Sequence, residues 1–186
     1  SGKKKIAVVM GGYSFERHIS MESGRNIFEK LSSSEEFQPI PLFLTGNNEA
    51  YRLFHLPLPM MLKDNADDIR DKILNYSENR VLTEIQNESL KLTAAYLKEA
   101  PTFKPKEVNI SDLPSICEGV FIALHGRPGE DGTIQADLAR LGLYFNGSES
   151  EASSVTINKF ETNKKLRECG FLVAEHQLVK KSDWQL

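Results

Sequence analysis

The segment His125-Gly126-Arg127-Pro128-Gly129-Glu130-Asp131-Gly132 sets an imidazole, a guanidinium and two carboxylates among three glycines and a proline. A connecting loop needs turn formers, but it does not need this density of ionisable groups. An imidazole can position or transfer a proton, a carboxylate can hold a cation, and glycines admit a ligand close to the backbone. An earlier segment, Gly11-Gly12-Tyr13-Ser14-Phe15-Glu16-Arg17, again joins glycines to an acid and a base. Glu16 is the type of group that receives an ammonium. Each feature also has a plainer reading. Gly11-Gly12 can be a tight strand-to-helix turn, and it lacks the GxGxxG spacing of a dinucleotide site. Glu16 can be an acid favoured by a helix N-terminus. His125 can be a rim histidine bonded to backbone. Glu130 and Asp131 can cap a helix starting near Thr133, with Asp131 as N-cap.

Such loops need a scaffold. Lys5–Met10 is a continuous apolar run, the pattern of a strand buried on both faces in a parallel sheet. Ile19, Ser23, Ile27 and Leu31 recur every four residues, which predicts an amphipathic helix with Ser20 as N-cap. Phe37–Thr45 predicts a strand whose Pro39 and Pro41 confine it to an edge or shorten its pairing. Residues 46–115 are mixed, and they are expected to elaborate the first domain. Within them, 64–75 predict a helix with Ile69, Ile73 and Leu74 on one face. Residues 79–100 mix helical and strand periods, and Pro101, Pro105 and Pro114 punctuate a loop.

The pattern sharpens again at Gly119–Leu124, a second buried strand. Ile134, Leu138 and Leu141 then mark a helix closed by Gly142. Residues 143–148 predict a short strand and turn. Two helices follow, meeting near Asn158 and ending at Gly170, and 171–179 predict a last strand. Strands alternating with helices imply an α/β fold with an open, mostly parallel sheet and helices on both faces. Ligands of such sheets bind outside the carboxyl ends of the strands, where both glycine–acid segments fall.

With 23 basic and 26 acidic residues the net charge is −3, which gives no electrostatic case for nucleic acid or an anionic membrane. No apolar run reaches the roughly 18 residues of a membrane-spanning helix. Cys117 and Cys169 have no CxxC spacing, so reduced, packing thiols and a cytoplasmic location are expected. His18, His55, His125 and His176 form no HxH or HxxxH pair, which argues against a histidine metal site. Ser1-Gly2 reads as the remnant of a cleaved tag.

Three segments in order, 10–24 (MGGYSFERHISMESG), 121–148 (FIALHGRPGEDGTIQADLARLGLYFNGS) and 153–171 (SSVTINKFETNKKLRECGF), resemble D-alanine–D-alanine ligase of the ATP-grasp superfamily. The shared pattern is GG-x-S-x-E, then HG-x-x-GEDG-x-x-Q, then a serine-rich helix and a lysine. Asn158 stands where the family usually has Asp, and Asn146 where it often has Thr. The resemblance implies a ligase that phosphorylates one D-alanine with ATP and Mg²⁺ and lets a second D-alanine attack the acyl phosphate, for peptidoglycan precursors. It implies that Glu16 holds the first D-alanine's ammonium, Ser20 orients that loop, His125 lies beside the substrate and Lys159 reaches the ATP phosphates. Gly11, Gly12, Gly126, Gly129, Glu130, Asp131 and Gly132 would shape the loops around them.

It further implies a substrate-binding domain over 3–148 and the start of an ATP-grasp domain over 149–186, with the Mg²⁺ ligands beyond this chain. A homodimer is expected, and the chain alone is expected to be inactive. A D-lactate or D-serine ligase, and a non-catalytic α/β binding domain, are the rival expectations.

Overall fold

The computed structural model describes residues 2–75, 84–85, 88–89 and 103–184. Strand β1 (Lys4–Gly11) leads through helix α1 (Arg17–Ser32) to β2 (Phe37–Gly46), β3 (Tyr51–His55), α2 (Leu58–Lys63) and α3 (Ala66–Leu74). Then come β4 (Lys106–Val108), a short α4 (Leu113–Ile116), β5 (Gly119–Ile122), α5 (Thr133–Arg140), β6 (Tyr144–Phe145), α6 (Ser150–Thr156) and α7 (Lys159–Glu168). Among the described residues the strands form one sheet in the order β4-β3-β2-β1-β5-β6. β1 pairs in parallel with β2 and β5, and β5 with β6, while β3 joins β2 and β4 antiparallel. The open, mostly parallel α/β sheet expected from the alternation is therefore present.

β1 is the centre, and its pleat explains why. Ala7 and Val9 enter one core with Leu42, Leu44, Leu113, Ile134 and Leu138, under α4 and α5. Val8 and Met10 enter the other with Met21, Phe43, Met61 and Ile69, under α1, α2 and α3. All four of these β1 side chains are fully buried, and Val8, Val9 and Met10 each contribute about 1.5–3 kcal/mol if fully withdrawn from water. The chain runs outward from β1 through β2, β3 and β4, then returns to the other side of β1 for β5 and β6. Strand order thus reverses at β1. The connection after β1 leaves toward one face and that after β5 toward the other, which opens a crevice between their carboxyl ends.

Pro39 and Pro41 do not make β2 an edge strand, but they do shorten its pairing. β1 pairs with β2 along residues 37–44, whereas β3 pairs only from Leu42 onward. The Pro41 carbonyl accepts from Leu56 N on the β3 side, so the proline nitrogens face the stretch of β2 that carries no ladder.

Several expectations are corrected. α1 begins at Arg17, so Ser20 is not its N-cap. Its buried residues are Ser20, Met21 and Gly24, with Ile27, Phe28 and Leu31 packed beside them, while Ile19 is half exposed. A strict four-residue spacing drifts about 40° per step around a helix of 3.6 residues per turn, so Ile19 leaves the stripe that Ile27 and Leu31 join.

Elsewhere, Leu74 points to solvent although Ile69 is buried and Ile73 packs on the core. β3 and β4, not anticipated within 46–115, extend the sheet. Most of 79–100 lies outside the described residues. Residues 171–179 form no strand: none of the described strands pairs with them, Leu172, Leu178 and Val179 are exposed, and an unpaired apolar run gains nothing from extension. Cys117 packs as expected, but Cys169 is exposed.

Gly24 marks where α1 lies closest to the sheet. A Cβ there would stand 2.6 Å from Met10 Cβ. Gly24→Ala is expected to lower stability by about 1–3 kcal/mol through overpacking, measured by denaturant unfolding. An unchanged midpoint would mean that α1 can lift from β1 at no cost.

Candidate functional site

The two glycine–acid segments meet at the crevice. Gly11 and Gly12, both at positive φ, turn the chain off β1, and Gly12 N donates to Leu44 O at 2.8 Å. Ser14 then ties the first loop to the second: its hydroxyl donates to His125 O at 2.7 Å and accepts from Glu16 N at 3.1 Å. Ser20, fully buried, accepts from Gly11 N at 2.9 Å and donates to Ala123 O at 2.8 Å, joining the ends of β1 and β5. Ser23 Oγ lies 3.1 Å from His125 Nε2, so α1 also holds the imidazole.

Glu16 is exposed, and its carboxylate has no ion-pair partner among the described residues. A Cβ added at Gly126 would stand 2.9 Å from Ser14 Cβ and 3.7 Å from Glu16 Oε2, so only a glycine leaves the space between the loops open. Glu16 and His125 are thus brought to the same crevice by a shared serine.

The rest of the second loop folds back on itself. Gly129 N and Glu130 N both donate to Gly126 O at 2.9 Å. Gly132, not Asp131, occupies the N-cap of α5, at φ 89°. A side chain at Gly132 would collide with Ser150 O at 2.3 Å, so this position must approach α6 closely. Asp131 still serves the helix by accepting from Thr133 N at 3.0 Å, and its carboxylate lies 3.6 Å from Arg127 Nε. Glu130 is exposed. Lys159 stands apart from this cluster in sequence, exposed at the first residue of α7. Asn158 caps that helix by accepting from Phe160 N and Glu161 N at 3.1 and 3.2 Å, the job an aspartate would do. Among the described residues no cluster of three His, Cys, Asp or Glu is placed to hold a metal.

Residues 5–148 match the family described as D-ala D-ala ligase N-terminus. The chain belongs to this family. A D-alanine–D-alanine ligase of Natranaerobius thermophilus is 29% identical over 183 residues, covering 98% of this chain and 44% of the relative. One of Treponema denticola is 26% identical over 179 residues, covering 96% of this chain and 44% of the relative. The chain therefore spans less than half the length of the curated relatives it matches. The fold is shared with a D-Ala:D-Ser ligase from Enterococcus faecalis, with a TM-score of 0.59 and 24% identity over 93% of this chain and 44% of that one. A D-alanine–D-alanine ligase from Coxiella burnetii gives 0.59 and 22% over 94% and 44%.

Within this ligase N-terminal region, the contacts by which Ser14, Ser23, Asn146, Arg17 and Asp67 build the site were not visible in the sequence. Ser14 lies inside the GG-x-S-x-E pattern, so its presence was visible although its partner was not. Asn146 accepts from Ile122 N at 2.6 Å and donates to Ile122 O at 3.2 Å, completing the β5 ladder where β6 has ended. Arg17 grips Asp67 with Nε to Oδ1 at 2.8 Å and a second nitrogen to Oδ2 at 3.0 Å, fastening the Glu16 loop to α3. The Arg17 hydrogen bond is the main cause that holds the Asp67 carboxyl down at about 2, with Arg17, Arg70 and His18 charges adding to it. A cavity of about 580 Å³ is lined by Tyr13 of the first loop together with Tyr51 and Asp137. Tyr51 donates to Asp137 at 2.5 Å, and burial, then that bond, push its phenol well up.

Two outcomes follow from these ties. Ser20→Ala strands Gly11 N–H and Ala123 C=O inside the protein and is expected to cost about 1–3 kcal/mol in denaturant unfolding. A loss below about 0.5 kcal/mol would show that the strand ends need no bridge. Asp67→Asn is expected to lose under about 1 kcal/mol near neutral pH, since the pair is part-exposed. Because the folded pKa lies below the unfolded one, that contribution is present above the ordinary aspartate range and disappears as pH falls toward about 2. Melting curves of both proteins should therefore converge on acidification, and a constant gap would contradict the pairing.

Proposed function

We propose that this chain is the substrate-binding part of a cytoplasmic, homodimeric ligase that joins two D-alanines through an acyl phosphate at the expense of ATP, for peptidoglycan precursors. The observation that carries the reading is the crevice at β1 and β5. It presents a carboxylate, Glu16, with no ionic partner among the described residues, beside an imidazole fixed by Ser23. The family membership supplies the chemistry this arrangement would serve.

In this reading Glu16 receives the ammonium of the first D-alanine, a charge-assisted hydrogen bond that fixes the zwitterion's orientation. His125 lies beside the same substrate and positions its carboxylate. A carboxylate oxygen attacks the terminal phosphorus of ATP, the bond to the bridging oxygen breaks, and ADP leaves. The amine of the second D-alanine then attacks the acyl carbon, phosphate departs, and the amine loses a proton as the amide forms. Ser14 and Ser20 touch no reacting atom here; they hold the two loops at one separation, which an in-line transfer requires. Lys159, exposed on α7, offers an ammonium to the ATP phosphates. Among the described residues no cluster of His, Cys, Asp or Glu is placed to hold Mg²⁺, so no step is assigned to one here.

The test is kinetic, in an active ligase that contains this chain. Glu16→Gln keeps size and removes charge. The expected result is a rise of roughly ten- to a hundredfold in the KM for the first D-alanine, matching about 1.5–3 kcal/mol for a hydrogen bond to a charged group, with little change for ATP. His125→Ala should lower kcat as well. Ordinary kinetics in both variants, accompanied only by lower melting temperatures, would reduce the two residues to turn formers.

A further inference from the structure

Gln135 is 4% exposed, yet only half of its amide is satisfied among the described residues. Its Nε2 donates to Gly129 O at 2.5 Å, and its Oε1 is buried without a partner. Buried polar atoms are ordinarily paired, and each exception asks for a reason. A methionine would fill nearly the same volume without stranding an acceptor, so packing alone does not account for a glutamine here. The amide orientation is fixed by its neighbour: a flipped side chain would set carbonyl against carbonyl at Gly129.

The hydrogen bond lands where the second loop is most tightly connected. Gly129 N and Glu130 N both close on Gly126 O. A Cβ at Gly129 would stand 2.4 Å from Leu124 Cβ, so this peptide lies against the residue preceding His125. Gly126 in turn abuts Ser14, whose hydroxyl holds His125 O and Glu16 N. One unbroken run of contacts therefore leads from Gln135 on α5 to both walls of the crevice. Gln135, Gly129 and Leu124 also line a cavity of about 360 Å³, together with Glu130, Asn146 and Ser153.

We propose that Gln135 is a positioning residue: its amide clamps the Gly129 carbonyl and so sets the separation of His125 from Glu16, the unpaired Oε1 being the cost of placing that donor. The inference rests on the reading of Glu16 and His125 as the wall that binds the first D-alanine.

Two variants separate position from packing. Gln135→Met keeps volume and removes the donor, and Gln135→Glu keeps shape but turns a carboxylate toward Gly129 O. In the chain itself, amide hydrogen exchange at Gly129 and Glu130 should quicken at least about tenfold in Gln135→Met while the melting temperature stays near that of the parent, because an unpaired acceptor is removed together with the donor. In an active ligase containing the chain, both variants should raise the KM for the first D-alanine about fivefold or more and leave the KM for ATP in place. Unchanged exchange at Gly129 and Glu130 would overturn the clamp. Unchanged D-alanine KM in both variants, where Glu16→Gln raises it, would overturn the inference alone. Unchanged KM in Glu16→Gln as well would overturn the underlying reading and the inference with it.

Discussion

The hydroxyl of Ser20 joins the ends of two parallel strands. It accepts from Gly11 N at the end of β1 and donates to Ala123 O beyond β5. Where the strand order reverses, the connections from neighbouring parallel strands leave toward opposite faces, and the last backbone groups of the strands lose ladder partners there. A buried hydroxyl, both donor and acceptor, satisfies one group from each strand at once. The crevice is open because the chain leaves β1 and β5 toward opposite faces, and it is held at a fixed width because one side chain spans its floor.

Other ties repeat that logic at increasing distance from the sheet. Ser14 stitches the first loop to the His125 carbonyl, Ser23 holds the imidazole, and Arg17 anchors the loop to α3 through Asp67. Each uses a short polar side chain or a planar guanidinium, groups that lose little rotamer freedom per hydrogen bond formed. The ionisable groups sit on the loops, but α1, α3 and α5 fix them. Glu16 stays exposed and unpaired within the described residues while the groups around it are occupied. A preorganised charge surrounded by satisfied neighbours is what an ammonium ligand requires.

The parts that the sequence revealed share a physical property: they are local. A strand buried on both faces is an apolar run, as Lys5–Met10 and Gly119–Leu124 are, and left-handed turns demand glycine at Gly11, Gly12, Gly126 and Gly132. Asn158 and Gly170 bound α7 through caps within a few residues of themselves. Glu16 and His125 stood out because ionisable residues beside glycines at strand ends violate the composition of a plain turn. The misreadings have the opposite character. The buried face of α1 was assigned by a spacing that a helix does not keep, and Ser20 was given to a helix end because a serine before an apolar stripe is locally a good cap.

Types, order and spacing were thus enough to determine that this is an α/β chain of the D-alanine–D-alanine ligase N-terminal family with two glycine–acid loops at strand ends. Only the tertiary structure decided how those loops meet. The carbonyls to which Ser14 and Ser20 donate lie 111 and 103 residues away, and the carboxylate that Arg17 grips lies 50 away. It also decided that β3 and β4 extend the sheet and that 171–179 do not. A hydrogen bond between distant residues leaves no periodicity in either segment, and a strand exists only if another strand offers it a ladder; both are properties of the folded chain, absent from any window of its sequence.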